Sequence, residues 1–184
     1  MNRLFSMGLF FYLPLLLLAQ AKVNQGSLTL QEFDHLVMDY AKLHKTVRSK
    51  IPAMKPTKEP AAIDQHERSL ARGIREARAT ARQGLIFTPE IAAQFHALLN
   101  QTMHGPEAAR IRESMKQATP VQLPAISVNA AYPSGAPLQT TPPSLLANLP
   151  KLPPELEYRV VGRSLILRDI EANLIVDYLS SAIP

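Results

Sequence analysis

Nine of the chain's 16 prolines lie between Thr119 and Pro154, and only one glycine accompanies them. Proline has no amide donor and fixes φ near −65°, so this stretch can be neither a helix nor a central strand. Pro120, Pro124, Pro133, Pro137, Pro142, Pro143, Pro150, Pro153 and Pro154 therefore divide the 184 residues into a part before and a part after. The stretch does not have the composition of a linker. Val121, Leu123, Ile126, Val128, Tyr132, Leu138, Leu145, Leu146, Leu149 and Leu152 are too many apolar groups to leave in water. It is expected to be an extended, polyproline-like strap packed across the rest of the fold, with one helical turn near Ser144 to Leu149.

After the strap, residues 155–184 alternate apolar and polar side chains. Tyr158 and Val160, Leu165 and Leu167, then Leu174, Val176 and Tyr178 each recur at every second residue, which puts each set on one face of a strand. Val161-Gly162-Arg163-Ser164 supplies a turn around a glycine that tolerates positive φ, and Asp169 to Asn173 supplies a second break rich in Asx residues. The pattern predicts a three-stranded antiparallel meander.

Before the strap, residues 22–118 carry helical spacing. Thr29-Leu30-Gln31-Glu32 has the form of a capping box. Leu30, Phe33, Leu36, Val37, Tyr40, Leu43 and Val47 then trace one apolar face, and Pro52 stops the helix near Ile51. Met54 to Pro60 is a linker, and a second helix starts near Ala61 and runs to Gln83-Gly84, with Ile63, Leu70, Ile74, Ala77 and Ala81 on one side. Thr88-Pro89-Glu90 starts a third helix with a hydroxyl cap, proline in the first turn and an early acid. His104-Gly105-Pro106-Glu107 breaks it before a short fourth helix with Ile111 and Met115 inward. The fold class that follows is α+β: N-terminal helices, an extended proline-rich strap and a C-terminal β-meander, with 22–184 forming one structural unit.

Residues 1–21 read as a secretory signal peptide. Met1-Asn2-Arg3 is a positive start, Leu4 to Leu18 is a nearly unbroken apolar run, and Ala19-Gln20-Ala21 is a cleavage pattern. The run is about 15 residues, below the roughly 20 that span a bilayer, and Pro14 interrupts it. Cleavage after Ala21 leaves no transmembrane span, and with Arg3 it removes one unit from the net charge of +5. The absence of cysteine rules out disulfides, thiol catalysis and cysteine-bound metals.

Several segments carry a resemblance. Ile86 to Ala93 (IFTPEIAA), Leu149-Pro150-Lys151-Leu152-Pro153, and Glu157 to Arg163 (EYRVVGR) through Asn173 to Asp177 (NLIVD) resemble a group of uncharacterised secreted bacterial proteins, over roughly residues 82–184. The resemblance implies a bacterial, exported protein and brings no catalytic residues with it.

The most distinctive chemistry is a row of arginines in the second helix. At 100° per residue, Arg68, Arg72, Arg75, Arg78 and Arg82 gather in an arc of roughly 120°. Guanidinium groups match planar anions, so the row suits an anionic lipid or polysaccharide surface, or an acidic envelope protein. A solvated face supported by Asp64–Arg68 and Arg72–Glu76 pairs is the simpler reading. Export argues against nucleic acid, as does the lack of interleaved aromatic residues. No cofactor is implied.

The alternative function is a periplasmic hydrolase. Asp169, Glu171 and Asp177 offer paired carboxylates, and Asp64, His66 and Glu67 offer ligand types, but no HExxH is present. Ser164, Ser180 and Ser181 sit in no nucleophile elbow. His35 and His44, nine apart, read as boundary histidines, and acids at turns and strand ends read as solvated. On balance the sequence points to an exported envelope protein that binds rather than catalyses.

Overall fold

A computed structural model of the chain describes residues 13–116, 126–132 and 141–183. Its elements are α1 (Leu13–Arg48), α2 (Pro60–Ala77), α3 (Pro89–His104), α4 (Ala108–Lys116), α5 (Pro143–Leu146), β1 (Leu156–Val161), β2 (Ser164–Asp169) and β3 (Leu174–Leu179). The strands form one antiparallel sheet in the order β1-β2-β3, so helices precede a C-terminal meander in an α+β fold. Residues 1–12, most of the expected leader, lie outside the described residues.

One face of the sheet packs on the helices. Tyr158, Val160, Leu165, Leu167, Leu174 and Val176 join Phe33, Val37 and Tyr40 of α1, Leu70 and Ile74 of α2, and Ile91, Phe95 and Leu99 of α3 in the main core. Phe95 is its centre, with Phe33 at 4.8 Å and Phe87 at 5.1 Å between ring centroids, the latter edge-on. The opposite sheet face is covered too. Residues 126–132 lie across it, and Tyr132 packs with Val161, Ile166 and Ile175. This segment also pairs with β3: Asn129 N donates to Ile175 O, Ile175 N to Ala130 O, and Tyr132 N to Asn173 O. The described part of the strap thus closes one sheet edge that would otherwise stand open. Val121, Leu123 and Leu138, three of the strap's apolar residues, fall in segments outside the described residues, whereas Leu145 and Leu149 are buried in the main core.

Several boundaries differ from the sequence reading. No helix begins at Thr29. α1 runs through it, and the Thr29 hydroxyl donates back to Gln25 O at 2.9 Å instead of capping. Gly26 alone is too weak a breaker, costing only about 1 kcal/mol relative to alanine. α2 ends at Ala77 rather than at Gly84, because Asn129 Nδ2 donates to Arg78 O and Arg78 itself leaves helical geometry. In β3 the register slips beside Leu167, which faces Asp177 while Arg168 faces Ile175. Val176 is the extra residue of that bulge, so Tyr178, expected on the face of Leu174 and Val176, turns to the second face opposite Ile166, and Leu179 takes the core position instead. The hairpin reading stands: Gly162 has φ 57° and opens a two-residue turn between Val161 and Ser164.

Candidate functional site

α1 carries Tyr40, His44 and Arg48 at successive spacings of four, which aligns them along one side of the helix. That side meets the end of β2 and the β2–β3 turn. The Tyr40 hydroxyl donates to Asp169 Oδ2 at 2.7 Å, and His44 Nδ1 lies 2.6 Å from the same oxygen. The second ring nitrogen, Nε2, lies 3.2 Å from Glu171 Oε2. Glu171 Oε1 accepts from Arg48 Nε at 2.8 Å and lies 3.0 Å from Nε2 of His66, which α2 brings in from the other side. Ala172 N donates to Asp169 Oδ1 at 2.7 Å and closes the turn over the strand end. One connected set of polar groups therefore joins α1, α2 and the sheet.

Burial in this set is graded. His44 is 1% exposed and Asp169 is 0%, whereas Glu171 is 33% exposed and Arg48 is 59%. Burial would lower the His44 pKa, but the hydrogen bond and charge of Asp169, followed by those of Glu171, outweigh it and raise the imidazole above its ordinary value. Glu171 behaves in the opposite sense. Burial would raise it, yet hydrogen bonds from Arg48, His66 and His44 hold it below the usual carboxylate value. Burial, then the neighbouring Asp169, pushes the Tyr40 phenol far up, so it stays a donor. Glu171 lines a cleft of about 310 Å³ together with His44, Lys45, Arg48, Glu155 and Ile170. A second cleft of about 330 Å³ shares Lys45 and Arg48 with it and is also lined by Ser49, Met54 and His66.

Two of the three carboxylates read from sequence as solvated acids, Asp169 and Asp177, are not solvated, whereas Glu171 is partly exposed. Asp169 and Asp177 are both 0% exposed. Asp177 accepts backbone amides from Gly84, Ile86 and Phe87 at 3.0, 2.8 and 2.9 Å and so fixes the loop that leads into α3. The bulge in β3 turns its carboxylate toward that loop. His44, read as a boundary residue, is the centre of the cluster. The four-residue spacing of Tyr40, His44 and Arg48 within an apolar stripe was the available signal. Asp64, His66 and Glu67 do not converge: His66 binds Glu171, Glu67 accepts from Asn173, and no described group of three such side chains could hold a metal ion. Asp64 is exposed, and His35, the other α1 histidine, pairs at the surface with Asp39.

The arginine row divides. Arg78 is half-buried: it donates to Asn129 Oδ1 and Val176 O, and its guanidinium lies 5.1 Å from the centre of the Tyr40 ring. Burial lowers its pKa, and its role is to clamp the end of α2 to β3. Arg68, Arg72, Arg75 and Arg82 are exposed, with Arg75 Nε also donating to Asn129 O. Arg82 lies beyond the helix, so the five do not form one continuous helical row. The Asp64–Arg68 and Arg72–Glu76 pairs do not close. Among the described residues none of the four exposed arginines has a carboxylate within ion-pair distance, in contrast to Arg48, Arg110, Arg159 and Arg168.

A wider groove of about 630 Å³ runs between α1, α3 and Pro150 to Pro153, with Leu30, Val37, Met38, Leu98 and Leu152 in its lining. It offers apolar shape, with Asp34 and Lys151 as its only charged lining residues. No helix among the described residues is long and apolar enough to cross a membrane. Comparison with family models, curated protein sequences and solved structures finds no match for this chain.

Proposed function

We propose that the protein is exported by a cleavable signal peptide and acts by binding a phosphate-bearing, anionic lipid surface of the cell envelope. The observation that carries this reading is the state of the α2 arginines. Arg68, Arg72 and Arg75 fall within roughly 60° of the helix circumference at 100° per residue. They are exposed, and among the described residues no carboxylate pairs with them although Asp64 and Glu76 border them in sequence; Arg75 donates only to the neutral carbonyl of Asn129. Arginine side chains that served only to support the fold would be expected to find partners, as Arg78 and Arg168 do and as Arg68 and Arg72, among the described residues, do not. Each cation near an anionic membrane contributes about 1 kcal/mol, so removing three should weaken attachment on the order of a hundredfold.

What supports binding over the alternative, a periplasmic hydrolase, is the use already made of the acid–base groups. His44 is 1% exposed with both ring nitrogens against carboxylates, and Asp169 and Asp177 are 0% exposed. A general base needs to reach a substrate proton, and none of these three does.

The test is co-sedimentation with vesicles containing anionic phospholipid at low salt, with soluble inorganic phosphate as competitor. The mature chain, whose first residue should be Lys22 by N-terminal sequencing, is expected to sediment and to be released by salt. Arg68→Gln, Arg72→Gln and Arg75→Gln together should abolish sedimentation without moving the thermal midpoint by more than a few degrees. Unchanged sedimentation in that variant would sink the assignment of this face.

A further inference from the structure

His44 is held between two carboxylates, one on each ring nitrogen, at 2.6 Å from Asp169 and 3.2 Å from Glu171. An imidazole can donate from both nitrogens only when it is protonated. The neutral ring keeps one N–H and turns a lone pair to the other side. On losing its proton, His44 must therefore present a lone pair to one carboxylate oxygen, and that contact becomes repulsive.

Which contact gives way follows from the surroundings. Asp169 is 0% exposed and also accepts from the Tyr40 hydroxyl and the Ala172 amide, so it has no alternative position and no water to turn to. Glu171 is 33% exposed, and Arg48, which holds its other oxygen, is 59% exposed and can follow it outward. The other charged groups around the ring do not reverse this order. Lys45 on α1 is paired with Glu155 at the entry to β1. His66 on α2 reaches Glu171 and not Asp169, and Arg78 lies over the Tyr40 ring with its charge acting on Asp169, the contact that is kept.

We propose that Glu171 is a proton-operated latch. It closes on His44 while the imidazole is charged and swings outward when the ring is neutral, reshaping the cleft that it lines together with His44. Lys45 and Arg48 line that cleft and also the neighbouring one, to which His66 belongs. The inference does not depend on the membrane-binding reading and survives or fails without it.

The experiment is an NMR titration of the full chain from pH 5 to 9, following the ring nitrogens of His44 and the side-chain carboxyl carbon of Glu171. Both signals are expected to change at one shared midpoint, above the value of about 6.5 for a free imidazole. Above that midpoint His44 should be a single Nδ1–H tautomer. Glu171→Gln keeps the volume of the side chain but removes its charge, so the His44 midpoint should fall in that variant. The accompanying step in the Ile170 and Ala172 amide shifts should disappear with it. A purely structural histidine would titrate with no response at Glu171. That result overturns the latch, as does a His44 midpoint that is at or below 6.5 or is unmoved by Glu171→Gln.

Discussion

Asp169 and Asp177 are excluded from water by different means, and the difference shows where this fold is sensitive to pH. Asp177 is held almost wholly by peptide amides, which do not titrate. Asp169 has one such amide, that of Ala172, and otherwise depends on a tyrosine and a histidine, and the histidine brings in Glu171. Glu171 has its folded pKa below the ordinary 4.5. Its stabilising contribution is therefore present above that value and lost as the pH falls through the depressed one. His44 has its folded pKa above the ordinary 6.5, so its contribution is complete below 6.5 and lost as the pH rises through the raised one. The thermal midpoint should accordingly be highest in mild acid, between those two ordinary values, and decline on either side. A series of melts from pH 4 to 9 checks this. His44→Gln should flatten the alkaline limb, and an alkaline limb that persists in His44→Gln would assign it to other groups.

At the level of elements, the approach of α2 to α1 sets the distance across which His66 meets Glu171. Gly73 makes that approach possible, since a Cβ built there would lie 2.6 Å from Val47 Cγ1. Valine in a helix has essentially one χ1 rotamer and cannot turn aside. Gly73→Ala should gain about 1 kcal/mol of helix propensity and lose more than that to the clash, for a net loss of stability. Adding Val47→Ala should recover part of the loss. Chemical denaturation of the two single variants and the double variant measures this coupling, and strictly additive effects would mean that the contact does not govern the packing.

Elements whose limits are local were legible in the sequence. α3 starts where Thr88-Pro89-Glu90 places it, with the Thr88 hydroxyl accepting from Ile91 N, and the first hairpin turns at Gly162. Elements whose limits are set from far along the chain were not. α2 is ended by Asn129, about fifty residues on, and β3 bulges where Asp177 serves the loop before α3. The cluster was illegible for the same reason. Tyr40 and His44 can be seen to align on a helix, but nothing local shows that a strand end 125 residues later supplies their carboxylate.

Over the whole molecule, these long-range ties decide whether the sheet could exist by itself. Its helix-facing side is a continuous layer of Val160, Leu165, Leu167, Leu174 and Val176, each no more than 1% exposed only because α1, α2 and α3 cover it. Its other side needs Tyr132, and its β3 edge needs the backbone of Asn129 to Tyr132. Three short strands without those partners would expose two apolar faces and both edges, below what an isolated sheet of this size tolerates. Two carboxylates, Asp169 and Asp177, would also lose the donors that α1 and the loop before α3 supply. The strands and helices should therefore unfold together. Far-UV circular dichroism, dominated by the helices, and NMR intensities of the Leu167 and Leu174 methyl groups in the sheet should report one midpoint in urea. A peptide of residues 141–184 should show no dispersed methyl signals. Separate midpoints, or a folded peptide, would mean that the meander is an independent unit and that Asp169 and Asp177 orient the helices without holding the sheet.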